Sequence, residues 1–125
     1  MAKGLTASAV KPNPENETIM PLTRSFKEFV KSRIERDPKF RQAMLQEAVQ
    51  TLIESDVDTA KAVLRDYINA TVGFPALAEA IKISPKSLVR MFGPSGNPTA
   101  VNLFGVIGVL QEKTGVHLQV RAVAA

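Results

Sequence analysis

Residues 73–92 read GFPALAEAIKISPKSLVRMF. The apolar positions Leu77, Ala78, Ile81, Ile83, Leu88, Met91 and Phe92 predict a short helix over about 75–81, a tight turn at 82–84 and a second short helix over about 85–92. Ala78 is small where the second helix must come close to the first, and Ile83 plugs the gap inside the turn. Ser84 is suited to cap the second helix and Pro85 to occupy its first position. Lys82 stands where Gly is commonest in such a turn; a left-handed backbone there costs Lys roughly 1 kcal/mol.

Two short crossing helices joined in this way are a helix-turn-helix, whose second helix enters the DNA major groove with its first residues at base edges. Its candidate contacts are Ser84, Lys86, Ser87, Val89 and Arg90. Lys and Arg donate to guanine edges or phosphates, Ser donates to phosphate, and Val meets a thymine methyl. An ordinary helical hairpin fits the same apolar pattern.

The charge distribution points the same way. Sixteen Lys and Arg against twelve Asp and Glu give +4. Residues 1–22 carry two of each sign and residues 23–58 seven of each. Residues 59–125 hold seven basic and three acidic groups, so the whole excess lies there. Between Glu79 and Glu112 stand Lys82, Lys86 and Arg90 and no acid. A segment of one sign suits a polyanion, because each neutralised phosphate releases counterions.

Working outward, residues 1–22 hold three of the eight prolines and no sustained period, and are expected to be a disordered arm. Residues 23–58 read as an N-terminal helical extension and 59–125 as the DNA-binding domain. Phe26, Phe29, Val30 and Ile34 mark one face of a helix to about Arg36. Asp37-Pro38 starts a second helix, over about 38–55, burying Phe40, Met44, Ala48 and Leu52. Asp58 is the expected cap of a third, over about 59–72, with Ala60, Val63, Leu64, Tyr67 and Ile68 inside and Gly73 as its stop. Downstream, Asn97 is the expected cap of a last helix to about Lys113, with Pro98 at its first position and Val101, Phe104, Ile107 and Leu110 packed inward. The amides around Gly96-Asn97 and the positive helix end suit a phosphate. After Gly115, Val116, Leu118 and Val120 alternate with His117, Gln119 and Arg121, the pattern of a short strand, which needs a partner such as the same strand of a second subunit.

Other classes of function fare worse. The 45% hydrophobic content fits a packed core. No apolar run approaches a membrane span and no signal-peptide core is visible, so a cytoplasmic protein is expected. With zero Cys and one His, no disulfide framework, thiolate nucleophile or Cys/His zinc site is expected. His117 reads as a surface residue, and Asp56 and Asp58 as capping groups without the further ligands of a calcium loop. No catalytic residue, metal or cofactor is expected.

The run from Gly73 to Val120 resembles the lambda-repressor/Cro-like helix-turn-helix proteins known as addiction-module antidotes, the antitoxins of bacterial toxin–antitoxin pairs. The resemblance is carried by Gly73, Leu77-Ala78, Ile83-Ser84, Ser87-Leu88, Arg90, Gly96-Asn97-Pro98-Thr99 and Leu103-Phe104. Asp37-Pro38-Lys39-Phe40 and the acidic turn at residues 56–58 extend it over roughly 26–120. It implies an all-α fold, a lambda-repressor-like domain of five to six helices with a short C-terminal β-strand. It also implies a homodimer on double-stranded operator DNA, autorepression, association with the bacterial nucleoid and a RelE-like toxin as protein partner. The DNA role maps onto Lys86, Ser87 and Arg90, with Asn97 and Thr99 as backbone contacts; no toxin-binding residue maps. The 22-residue arm, Lys82 and the longer final helix depart from the family pattern and leave a stand-alone or prophage-type regulator open. A helical protein-interaction module that has lost DNA binding is the alternative.

Overall fold

The computed structural model describes residues 24–125, with side chains from Glu28 onward. The arm at 1–22 and the side chain of Phe26 lie outside the described residues. Six helices follow one another: α1 (Arg24–Arg36), α2 (Pro38–Ile53), α3 (Val57–Ala70), α4 (Phe74–Ile81), α5 (Pro85–Met91) and α6 (Ala100–Thr114). The protein is all-α over the described residues. Residues from Lys31 onward form one compact unit.

Local chemistry sets most of the boundaries. Asp37 caps α2, its carboxylate accepting from the Lys39 and Phe40 N–H groups at 3.1 and 3.2 Å. The Arg33 guanidinium, 3.1 Å away, and the Phe40 N–H hold the Asp37 carboxyl below its usual pKa. Asp56, not Asp58, caps α3 by accepting from Thr59 N–H at 3.3 Å, so the helix opens two residues before the expected start. Asp58 lies in its first turn, where a carboxylate favours the helix dipole. Gly73 adopts φ +85° and donates its N–H to Ile68 O at 2.8 Å, closing the end of α3 in a conformation glycine adopts without strain.

The core is built from α2 through α6. Leu45, Ala48, Leu64, Tyr67, Ile68, Leu77, Leu88, Phe92, Val106 and Leu110 are fully buried, and Ile34 of α1 is too. The α2–α3, α4–α5 and α4–α6 pairs pack together. Phe74 and Phe92 meet with ring centroids 6.3 Å apart and planes tilted by 58°, a separation within the range at which aromatic pairs attract. Tyr67 donates its hydroxyl to Thr114 Oγ1 at 3.0 Å, tying α3 to the end of α6, and burial raises its pKa.

Three expectations for the C-terminal third are corrected. Thr99, not Asn97, caps α6, accepting from Asn102 N–H at 3.2 Å; Pro98 precedes the helix instead of opening it. The buried stripe of α6 is Leu103, Val106, Ile107 and Leu110, whereas Val101 and Phe104 are 82% and 63% exposed. The helix is apolar around most of its circumference, so spacing alone does not select its inner face.

The expected strand at 116–121 is absent: no strand occurs among the described residues. An isolated strand has no partner for its backbone groups. Here Leu118 instead donates its N–H to Gln111 Oε1 at 2.8 Å, and Val116 is buried against the core. The tail is held to α6 by a side chain.

Candidate nucleic-acid interface

Local chemistry shapes the α4–turn–α5 unit. Lys82 takes φ +61° and ψ +46°, the left-handed geometry expected for the turn. With it, Ile83 N–H reaches Ala78 O at 3.1 Å and closes the end of α4. Ala78 is 1% exposed and Leu77 and Leu88 are fully buried, so a larger side chain at 78 has no room. Ile81 and Ile83 are half-buried against the same core. At the start of α5, Ser84 Oγ accepts from Ser87 N–H at 3.2 Å and pairs with Ser87 Oγ at 2.9 Å. Pro85 sits in the first turn, where its missing N–H leaves no gap in the hydrogen bonding.

Around this frame α5 divides cleanly. Leu88 and the following Phe92 point into the core, while Pro85, Lys86, Val89 and Arg90 are exposed and Ser87 is half-buried. Among the described residues, Lys82, Lys86 and Arg90 enter no ion pair. Five of the seven sequence-predicted contacts, Ser84, Lys86, Ser87, Val89 and Arg90, therefore belong to one short segment. The Ser84 hydroxyl is already committed to Ser87. Asn97 is exposed in the loop that follows Gly96, which lies against the C-terminal carbonyls of α5. Thr99 stands further along, its hydroxyl occupied as the α6 cap.

Sequence reasoning missed the other end of α5. Lys61 is 4% exposed and its ammonium donates to Gly93 O at 3.0 Å and Gly96 O at 2.6 Å. Arg65, one turn later on α3, donates to Phe92 O at 2.8 Å. Both were part of the +4 excess, yet both are spent inside the protein. The signal available was their position within the buried face of α3, between Ala60 and Leu64 and next to Leu64. Gly96 is equally constrained, since a Cβ there would run into the carbonyls of Arg90 and Met91.

No group of three or more His, Cys, Asp or Glu is placed to hold a metal ion among the described residues. No helix among them is long and apolar enough to cross a membrane. No protein-family model, curated protein or solved structure matches the chain.

Proposed function

We propose that this chain is a sequence-specific, double-stranded-DNA-binding transcriptional regulator that presents α5 to the major groove of an operator. The observation that carries the reading is the exposed trio Lys86, Val89 and Arg90 on a short, capped helix. That helix packs on α4, and Leu88 and the one-carbon side chain of Ala78 are buried in the same core cluster. A basic exposed face on the second of two packed short helices supports this reading, because such a face suits base edges and phosphates. In this reading Arg90 addresses a guanine, Lys86 and Ser87 address phosphate or base, Val89 a thymine methyl, and Asn97 and Thr99 the backbone.

The proposal extends to a lambda-repressor-like fold and a homodimer matched to a two-fold operator. It extends also to the role of autorepressing antitoxin with a RelE-like toxin as partner, in the bacterial cytoplasm. These last parts rest on the resemblance of Gly73, Leu77-Ala78, Ile83-Ser84, Ser87-Leu88, Arg90 and residues 96–99 to the antidote family.

A second reading, a helical protein-interaction module without DNA binding, is favoured by α6. Val101 and Phe104 are exposed apolar side chains, and Gly105 and Gly108 beside them are exposed as well. Fluorescence anisotropy on the chain's own upstream region and on scrambled duplex, across a salt series, separates the two. Tighter binding to the upstream region with a steep salt slope supports the regulator. Equal weak binding, or none, removes it and leaves the module.

A further inference from the structure

A buried ammonium is expensive to desolvate, and replacing it with an apolar side chain of similar volume is often neutral or stabilising. Lys61 is such a group. The nearest carboxylate, that of Asp58, is 3.7 Å away and itself almost fully exposed. The partners that hold the ammonium are the carbonyls of Gly93 and Gly96. Arg65 takes the carbonyl of Phe92. All three acceptors lie at or just beyond the C-terminal end of α5, and both donors lie on α3.

α3 is a firm platform, because Ala60, Leu64, Tyr67 and Ile68 are fully buried. α5 is not firm by itself. It has seven residues, and an isolated helix of that length does not persist in water. Its N-terminal end is set by the Ser84 cap and its middle by Leu88. Its last carbonyls, those of Leu88, Val89 and Arg90, accept from the Phe92 and Gly93 N–H groups, so its C-terminal end depends on where the segment after it is held. Charge-assisted bonds from α3 anchor that segment through the Phe92, Gly93 and Gly96 carbonyls and add a favourable interaction with the negative end of the helix.

We infer that Lys61 and Arg65 are positioning residues: they fix the direction of α5 and thereby set how sharply the protein tells one DNA sequence from another. The inference rests on the DNA-binding reading given above. Base readout demands that donors be held within about 0.5 Å and 10–20° of the productive geometry, whereas phosphate attraction tolerates far more freedom. Loosening the C-terminal end of α5 therefore erodes preference before it erodes general affinity. Neither Lys61, buried, nor Arg65, half-buried and bonded inward, has to touch DNA for this to hold.

The test uses the full chain and its Lys61→Met, Arg65→Met and Arg65→Lys variants, with two readouts. Hydrogen exchange measures the α5 amides against those of α3. Anisotropy measures affinity for the upstream duplex and for a scrambled duplex across a salt series. The Met variants are expected to speed exchange in α5 and the 93–96 loop while leaving α3 protected. Their preference for the upstream duplex should fall about tenfold, the worth of one well-aligned base contact. Scrambled-duplex affinity and its salt slope should stay unchanged, and Arg65→Lys, which keeps a charged donor, should recover most of the preference. Unchanged exchange in α5, or a lowered melting temperature with intact preference, overturns the inference and leaves Lys61 and Arg65 as stabilising groups. Equal losses on both duplexes with a flatter salt slope also overturn it, because they mark direct phosphate contact. If Lys61→Met does not fold, the two Arg65 variants carry the same comparison. Wild-type protein without preference for the upstream duplex removes the DNA reading itself, and with it this inference, before any variant is measured.

Discussion

Lys61 and Arg65 on α3 and Lys86 and Arg90 on α5 are the same two residue types at the same i, i+4 spacing. The α3 pair turns inward, Lys61 with 4% exposure and carbonyls for partners. The α5 pair is exposed and, among the described residues, makes no ion pair. What separates them is their neighbours. In α3 the basic residues alternate with Ala60, Leu64 and Ile68, so the helix face that carries them is pressed against the rest of the fold. In α5 the apolar positions retreat to Leu88 and Met91, leaving Lys86 and Arg90 on the far side. Net charge thus overstates what a partner meets: of the seven basic groups after residue 58, two serve to hold a helix end.

The contrast can be broken most forcefully at Gly96. Gly96→Ala forces a methyl against the Arg90 and Met91 carbonyls and displaces the loop from which Lys61 draws its acceptors. A loss of ~3 kcal/mol in chemical denaturation is expected. The exposed pair should behave oppositely. Arg90→Ala should leave unfolding within ~0.5 kcal/mol of wild type yet cost ~1–3 kcal/mol in binding to the preferred duplex and relax one base position. If Lys86 is a phosphate contact, Lys86→Ala should weaken binding to all sequences and reduce the salt slope by about 1 in titrations at several ionic strengths. Lys82 sharpens the comparison from a third side, as a basic residue placed at φ +61°. Lys82→Gly should stabilise the fold by about 1 kcal/mol in thermal melts, because glycine takes that conformation freely.

The smallest effect concerns Arg33, which pairs with the half-buried capping carboxylate of Asp37. Its guanidinium and the Phe40 N–H lower the Asp37 pKa, so the folded state binds this proton more weakly than the unfolded chain. The stability from Asp37 is complete above the usual carboxylate value of 3.8 and drains away as pH falls below it. Asp37→Asn should therefore lower the melting temperature slightly at neutral pH and converge on the wild type in strong acid, which flattens the acid limb of the profile.

Much of the architecture was legible in the residues. Asp37-Pro38, Ser84-Pro85 and the apolar set around Ala78 each carry a local instruction that nothing in the tertiary structure opposes. The left-handed turn at Lys82 was legible too, as a cost accepted for a shape. The failures share a cause: each offered two local solutions between which only packing chooses. Asn97 and Thr99 are both capable caps two residues apart, as are Asp56 and Asp58. Val101 and Phe104 form a second apolar stripe beside the one that Leu103, Val106, Ile107 and Leu110 bury. The alternation at 116–121 has the strand period, but pairing is a property of two segments and periodicity belongs to one. The anchoring role of Lys61 and Arg65 was illegible for a related reason: their acceptors are backbone carbonyls, which every residue possesses.

The bonds from Lys61 to Gly93 and Gly96 span 32 and 35 residues, and that from Arg65 to Phe92 spans 27. Closing loops of that size is entropically slower than forming the helices on either side. The direction of α5 is therefore expected to be among the last features the chain acquires in folding and the first it gives up. Weakening the anchor should then accelerate unfolding while barely slowing folding, a kinetic signature that stopped-flow measurements on Lys61→Met resolve. A chain built in this way has its core in place before its second short helix is aimed.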